Sequence, residues 1–146
     1  MIPVELKERV PYVSKLAKDV TFLIRPLDPY VRARIDDTVT ELKGKLDANV
    51  EPEVKINWSL ARYFYMQFGL AGWEWKHNGK KVSFQTKPIS KWGRDYVVAH
   101  DDSLKLLQTS SLEVYNDIAD AIRDNQYLRE EQAKNSDSPS AASGQD

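Results

Sequence analysis

Cysteine is absent from the 146 residues and histidine occurs only twice. The first absence excludes disulfides, thiolate metal sites and cysteine nucleophiles. The second leaves His77 and His100 without the paired spacing of a metal site. Glycine is sparse, with 6 residues, and none forms a phosphate-cradling loop. Apolar runs are a few residues long, far short of the ~20 that cross a bilayer, and no basic stretch leads into an apolar one, so a cytosolic protein is expected. No serine lies in a nucleophile-elbow pattern. The adjacent carboxylates of Asp36 and Asp37 diverge on a helix. His100, Asp101 and Asp102 offer a hard-metal or acid–base cluster on paper, but capping of the leucine-rich helix that follows explains the aspartates. The expectation is a protein without catalytic, cofactor or metal site.

What is present suits one folded domain. Hydrophobic residues make up 41% and aromatic residues 10% of the chain, and a chain of this length buries about two-thirds of its extended surface. The net charge of -1 hides a polarised distribution. Residues 74–100 carry 6 basic and 2 acidic side chains, and residues 101–146 carry 4 and 10. A basic middle and an acidic end can steer association over a screening length of about 8 Å.

Pro3 and Pro11 interrupt residues 1–19, which read as an extended N-terminal arm with at most a short helix near Tyr12 to Ala17. Val20 to Ile24 reads as a strand. Asp28 and Pro29 then open a helix whose apolar positions are Val31, Ile35, Val39, Leu42 and Leu46. Asn49 to Lys55 reads as a linker. Asn57 caps a second helix reaching Phe68, aromatic on most faces and therefore expected at the centre of the core, with Gly69 or Gly72 ending it in a left-handed conformation.

From Trp73 the period becomes two. Trp73 and Trp75 flank His77, Asn78, Gly79 and Lys80 together with Val82 and Phe84, a hairpin pattern. A loop from Pro88 to Gly93 and a third strand from Tyr96 to Ala99 follow. Asp101 or Asp102 caps a short helix through Leu107. Ser110 and Glu113 are spaced as a capping box for a helix with the stripe Leu112, Tyr115, Ile118, Ala119 and Ile122, breaking near Asn125. Residues 135–146 read as a disordered tail. The fold class expected is α+β: a helix-rich globular domain over 20–134 with a small antiparallel hairpin or three-stranded sheet.

Three stretches in order resemble the tail assembly chaperones of long-tailed bacteriophages and prophages. The first, FLIRPLDPYVRARIDD (Phe22 to Asp37), is similar to the strand, proline and charged helix with which many of them begin. ARYFYMQFGLAGWEWKHNGKKVSF (Ala61 to Phe84) resembles their aromatic helix and Asn-Gly-Lys turn. SLEVYNDIADAIRDNQYLREEQAKN (Ser111 to Asn135) resembles their terminal helix. Together these cover roughly half the chain; the arm through Asp19 is longer than the pattern, and Trp92, Gly93 and Arg94 have no counterpart in it. The resemblance implies a non-enzymatic protein of the host cytoplasm that binds the tape measure protein while tail tube subunits assemble, absent from the finished virion. Some members also occur as a longer frameshifted product.

Such a protein needs an apolar surface that a helical client can cover. The partner-binding candidates are Trp73, Trp75, Trp92, Leu112, Tyr115, Ile118 and Ile122, each of which also fits a core role. Lys76, Lys80, Lys81, Lys87, Lys91 and Arg94, interleaved with aromatics, form a possible basic patch. This patch could grip phosphates as a nucleic-acid-binding module, guard a sheet edge, or meet the acidic last helix of another copy in a homo-oligomer. A structural tail or connector protein retained in the virion is the alternative function.

Overall fold

The computed structural model describes residues 9–43 and 53–136. The fold is α+β, with four helices and several small antiparallel sheets around one core.

Strand β1 (Val10–Tyr12) pairs with β2 (Thr21–Ile24), which pairs with β5 (Leu70–Glu74). The arm is extended at β1, as expected, and the short helix allowed near Tyr12 to Ala17 does not form, turns taking its place. An edge tolerates Pro11, which has no N–H to give a ladder. Tyr12 is held from both sides, paired with Phe22 and donating its hydroxyl to Asp117 at 2.8 Å.

Helix α1 (Pro29–Val39) opens as expected, with the Asp28 side chain accepting from the Tyr30 amide at 2.8 Å, and buries Val31, Ile35 and Val39. It stops at Val39 rather than running to Leu46. The β-branched run Thr38, Val39 and Thr40 favours extended backbone, and β3 (Thr40–Lys43) pairs with β4 (Glu53–Ile56). The Asn57 amide donates to the Val39 carbonyl at 2.8 Å, closing this ribbon at its base. Leu42 is thus a strand residue, and the end of the expected linker is β4. Leu46 and the start of that linker lie outside the described residues.

Helix α2 (Trp58–Gly69) is the centre of the core and packs against α1, β5, α3 (Asp101–Ser110) and α4 (Leu112–Ser136), and against β9 (Arg94–Ala99). Asn57 caps it, accepting from the Leu60 amide at 3.1 Å. Neither Gly69 nor Gly72 is left-handed; the chain leaves α2 through extended Leu70, whose amide still bonds the Met66 carbonyl. Glycine is required at 69 because Ile122 of α4 occupies the space a Cβ would need.

The Asn-Gly turn forms as expected, with φ of 53° at Asn78 and 78° at Gly79, the two left-handed residues a tight hairpin needs. Its ladder is only β6 (Lys76–His77) with β7 (Lys80–Lys81). Trp73 is not part of it, since it pairs with Phe22 in the three-stranded sheet, while Val82 donates to the Trp75 carbonyl at 2.8 Å and ends the ladder. The expected loop from Pro88 is instead strand β8 (Thr86–Lys91), paired over six residues with β9 through a turn at Trp92 and Gly93. Pro88 is accommodated because β8 is an edge of a two-stranded ribbon.

His100, not either aspartate, caps α3, its Nδ1 accepting from the Asp102 amide at 3.0 Å. Ser111 caps α4, its hydroxyl accepting from the Val114 amide at 3.2 Å. Ser110 is still helical and bonds back to the Leu106 carbonyl, so the expected box does not form; Ser111 is a simple cap, because Val114 stands where a box needs Glu or Gln. α4 runs unbroken past Asn125 to Ser136, a stretch with neither proline nor glycine to interrupt it. Asn135 and Ser136 therefore belong to a helix; residues 137–146 of the expected tail lie outside the described residues.

Candidate interaction surfaces

The sequence-derived partner residues separate by burial. Tyr115, Ile118 and Ile122 line the inner face of α4 and are buried, as is Trp73, whose indole N–H donates to the Val82 carbonyl at 2.8 Å. Trp73 also meets Phe22, Trp75 and Phe84 edge-on. These four hold the domain together. Trp75 and Trp92 are half-buried, and Leu112 is 53% exposed, outside the stripe expected of it. Leu112 and Leu106, 44% exposed, flank the sharp α3–α4 corner.

The apolar surface the sequence reading missed lies on the β3–β4 ribbon. Val54 is 60% exposed and Ile56 36%, and their spacing of two puts both on one face of β4. Trp58, at the first turn of α2 and 44% exposed, continues the strip. Ile56 and Trp58 line a shallow groove of about 350 Å³ with Glu41, Lys55, Asn57 and Ser59. Arg123 of α4 lies 5.5 Å from the centre of the Trp58 ring, a distance at which cation and ring attract. The signal was available: Val54 and Ile56 alternate with Glu53 and Lys55, a strand pattern obscured by reading the proline-bearing stretch as a linker.

The basic residues do not form one patch. Lys76, Lys80 and Lys81 are exposed on the β6–β7 hairpin, with Lys76 directly opposite Lys81. Lys87 is spent on Asp101 at 2.7 Å. Lys91 lies over the Phe64 and Trp92 rings at 5.2 and 5.3 Å, and Arg94 over the Tyr30 ring at 3.8 Å.

Of the polar residues weighed for chemistry, His100 and Asp101 are engaged in structural hydrogen bonds. Asp101 accepts from Lys87 and, at 2.7 Å, from the Tyr63 hydroxyl, and these two hydrogen bonds hold its carboxyl below the usual range. Burial first, and the Asp101 bond second, push the Tyr63 hydroxyl up to about 12. Tyr12 is raised to about 12 by burial and its bond to Asp117, and Tyr115 to about 12 by burial alone. Asp117, Asp120 and Asp124 face β1 across a groove of about 370 Å³, where Asp117 binds Tyr12 and Asp120 pairs with Arg62 at 3.2 Å. Among the described residues no three His, Asp or Glu side chains are grouped to hold a metal ion, and no helix is long and apolar enough to cross a membrane.

Compared with protein-family models, with curated proteins and with solved structures, the chain matches none.

Proposed function

We propose that the protein is a phage tail assembly chaperone: it binds the tape measure protein in the host cytoplasm and assists tail tube assembly by adhesion, with no bond made or broken. The observation that carries this reading is the apolar strip of Val54, Ile56 and Trp58 on a two-stranded ribbon. Such ribbons are marginally stable alone in water, and contiguous exposed apolar side chains mark surfaces that partners cover. The resemblance supports the same reading. Its three stretches correspond to β2 with α1, to α2 running through β5 into the β6–β7 hairpin, and to α4.

Co-expression with the tape measure protein of the same phage tests it. The client is expected to become soluble and to co-purify, and Val54→Lys with Ile56→Lys is expected to abolish retention while thermal unfolding of the chaperone is unchanged. The reading is rejected if the unaltered chain gives no solubility rescue and no co-purification. Mass spectrometry of purified virions separates it from a structural tail or connector protein, which would be present in stoichiometric amount.

A further inference from the structure

The β8–β9 turn is built at odds with local preference. Trp92 has φ of 55° and Gly93 of 75°; the left-handed region suits Gly93, whereas a bulky residue there is an outlier whose conformation the surroundings must impose. Here Trp92 stacks on Phe68 with ring centres 5.6 Å apart and planes 21° from parallel, and its carbonyl accepts from the Tyr30 hydroxyl at 3.2 Å. The strained tryptophan thereby pins the turn against α1 and α2.

The pinned turn gathers positive charge. Lys91 and Arg94 are directly opposite each other across the ladder, a placement in which like charges repel. Arg34 of α1 joins them, its Nη2 donating to the Tyr30 hydroxyl at 3.1 Å and its Cζ 5.1 Å from the ring centre, while Arg94 lies 3.8 Å from that centre. Two guanidinium groups thus share one tyrosine. Among the described residues none of the three cations has a carboxylate within ion-pair distance. The neighbouring Asp95 accepts instead from the Ser90 hydroxyl at 2.6 Å.

We propose that this turn, with Arg34, is a carboxylate-binding site for an acidic segment of a partner protein. Arg94, resting on the Tyr30 face, keeps its in-plane N–H donors open, and their fork matches the two oxygens of a carboxylate; Arg34 adds the donors it does not give to the Tyr30 hydroxyl. Packing against Tyr30 fixes both arginines before the partner arrives, so little side-chain freedom is lost on binding. A bound carboxylate also relieves the repulsion between Lys91 and Arg94. Isolated carboxylates suit the site better than a phosphate backbone, because exposed Asp95 beside Arg94 and exposed Asp37 one turn from Arg34 would repel a continuous polyanion. The site shares no residue with the Val54, Ile56 and Trp58 strip and does not depend on the tail-assembly reading.

Calorimetric titration of the full chain with a synthetic octapeptide of alternating glutamate and serine at low salt tests the proposal, with a short oligonucleotide as the second arm. The peptide is expected to bind with an affinity that falls as salt rises. Arg34→Gln with Arg94→Gln is expected to weaken it about tenfold or more, the loss of charge-assisted hydrogen bonds. Arg94→Lys, which keeps charge and stem packing but not the fork, is expected to give a smaller loss and guards against a folding artefact. Lys76→Gln with Lys80→Gln and Lys81→Gln on the other hairpin should leave binding unchanged. The proposal is overturned if the peptide does not bind, if the control triple variant weakens it as much as the arginine pair, or if the oligonucleotide binds this turn more tightly.

Discussion

Replacing Gly69 by alanine sets two effects of opposite sign against each other. Alanine is the better helix former by about 1 kcal/mol, so propensity alone predicts stabilisation at the last residue of α2. The added methyl, however, would collide with Cγ2 of Ile122 and lie 3.1 and 3.2 Å from its Cδ1 and Cγ1, inside ordinary carbon–carbon contact. Ile122 is wholly buried between α4 and the core and cannot swing out to water. Overpacking of this kind costs about 1–3 kcal/mol, and at a backbone-to-side-chain contact between two central helices the upper part of that range applies. The net expectation is destabilisation of about 1–2 kcal/mol after the propensity gain is subtracted.

Urea unfolding followed by tryptophan fluorescence measures it. With an m value of about 2 kcal/mol/M, the midpoint should fall by roughly 0.5–1 M. Ile122→Ala alone should cost about 2–5 kcal/mol through the cavity it leaves. When Gly69→Ala and Ile122→Ala are combined, the methyl introduced on α2 enters that cavity, so the joint loss should be smaller than the sum by about 1–2 kcal/mol, the coupling expected of touching residues. A neutral or stabilising Gly69→Ala, or strict additivity in the double variant, would refute the close approach of α2 and α4 on which the core is built.

Three further outcomes follow from the polar contacts. Asp101 is more acidic folded than unfolded, so its contribution to stability is present above about pH 4 and is lost as pH falls through the lowered folded value; because the carboxylate is half-exposed, the effect is screened to below about 1 kcal/mol, and Asp101→Asn should flatten the acid limb of the stability profile. Tyr12, Tyr63 and Tyr115 are raised to about 12, so their stabilisation is complete below their ordinary value near 10 and disappears as pH climbs towards 12; ultraviolet titration should show late ionisation of these three and unfolding in the same window. His100→Ala should cost about 1 kcal/mol through loss of the α3 cap, and His100→Asn should restore most of it, as measured by thermal melts.

The parts legible in the sequence were those fixed by short-range chemistry. Asp28, Pro29 and Asn57 marked helix starts because a side-chain acceptor and a preset φ act within one turn. Asn78 and Gly79 marked a hairpin because few residues accept left-handed backbone. What escaped reading depended on partners distant in sequence. Val10 to Tyr12 is a strand only because β2 and Asp117 hold it. Thr40 to Lys43 leaves the helical pattern of Leu42 and Leu46 because a strand beginning at Glu53 returns beside it. Pro88 looked like loop punctuation, although a proline on a ribbon edge removes no hydrogen bond. The inward face of α4 was visible as a period, but a period cannot tell a core face from a docking face. Burial assigned Tyr115, Ile118 and Ile122 to the core and left Val54 and Ile56, in the stretch read as a linker, among the exposed apolar side chains.

The three ribbons differ in what secures them, and that difference bears on the proposed adhesion surface. The β8–β9 ribbon is the longest and is pinned by Trp92 stacked on Phe68. The β6–β7 hairpin is short, but the chain flanking it is fixed by Trp73 donating to Val82. The described part of the β3–β4 ribbon has its base tied by Asn57 and Val39, yet Val54 and Ile56 remain open to water. Burying an aliphatic side chain fully is worth about 1.5–3 kcal/mol, and a partner covering Val54, Ile56 and Trp58 would recover the share set by the exposure each retains, 60%, 36% and 44%. Under the proposed function, a partner can therefore cover Val54, Ile56 and Trp58 without rearrangement of the α2-centred core.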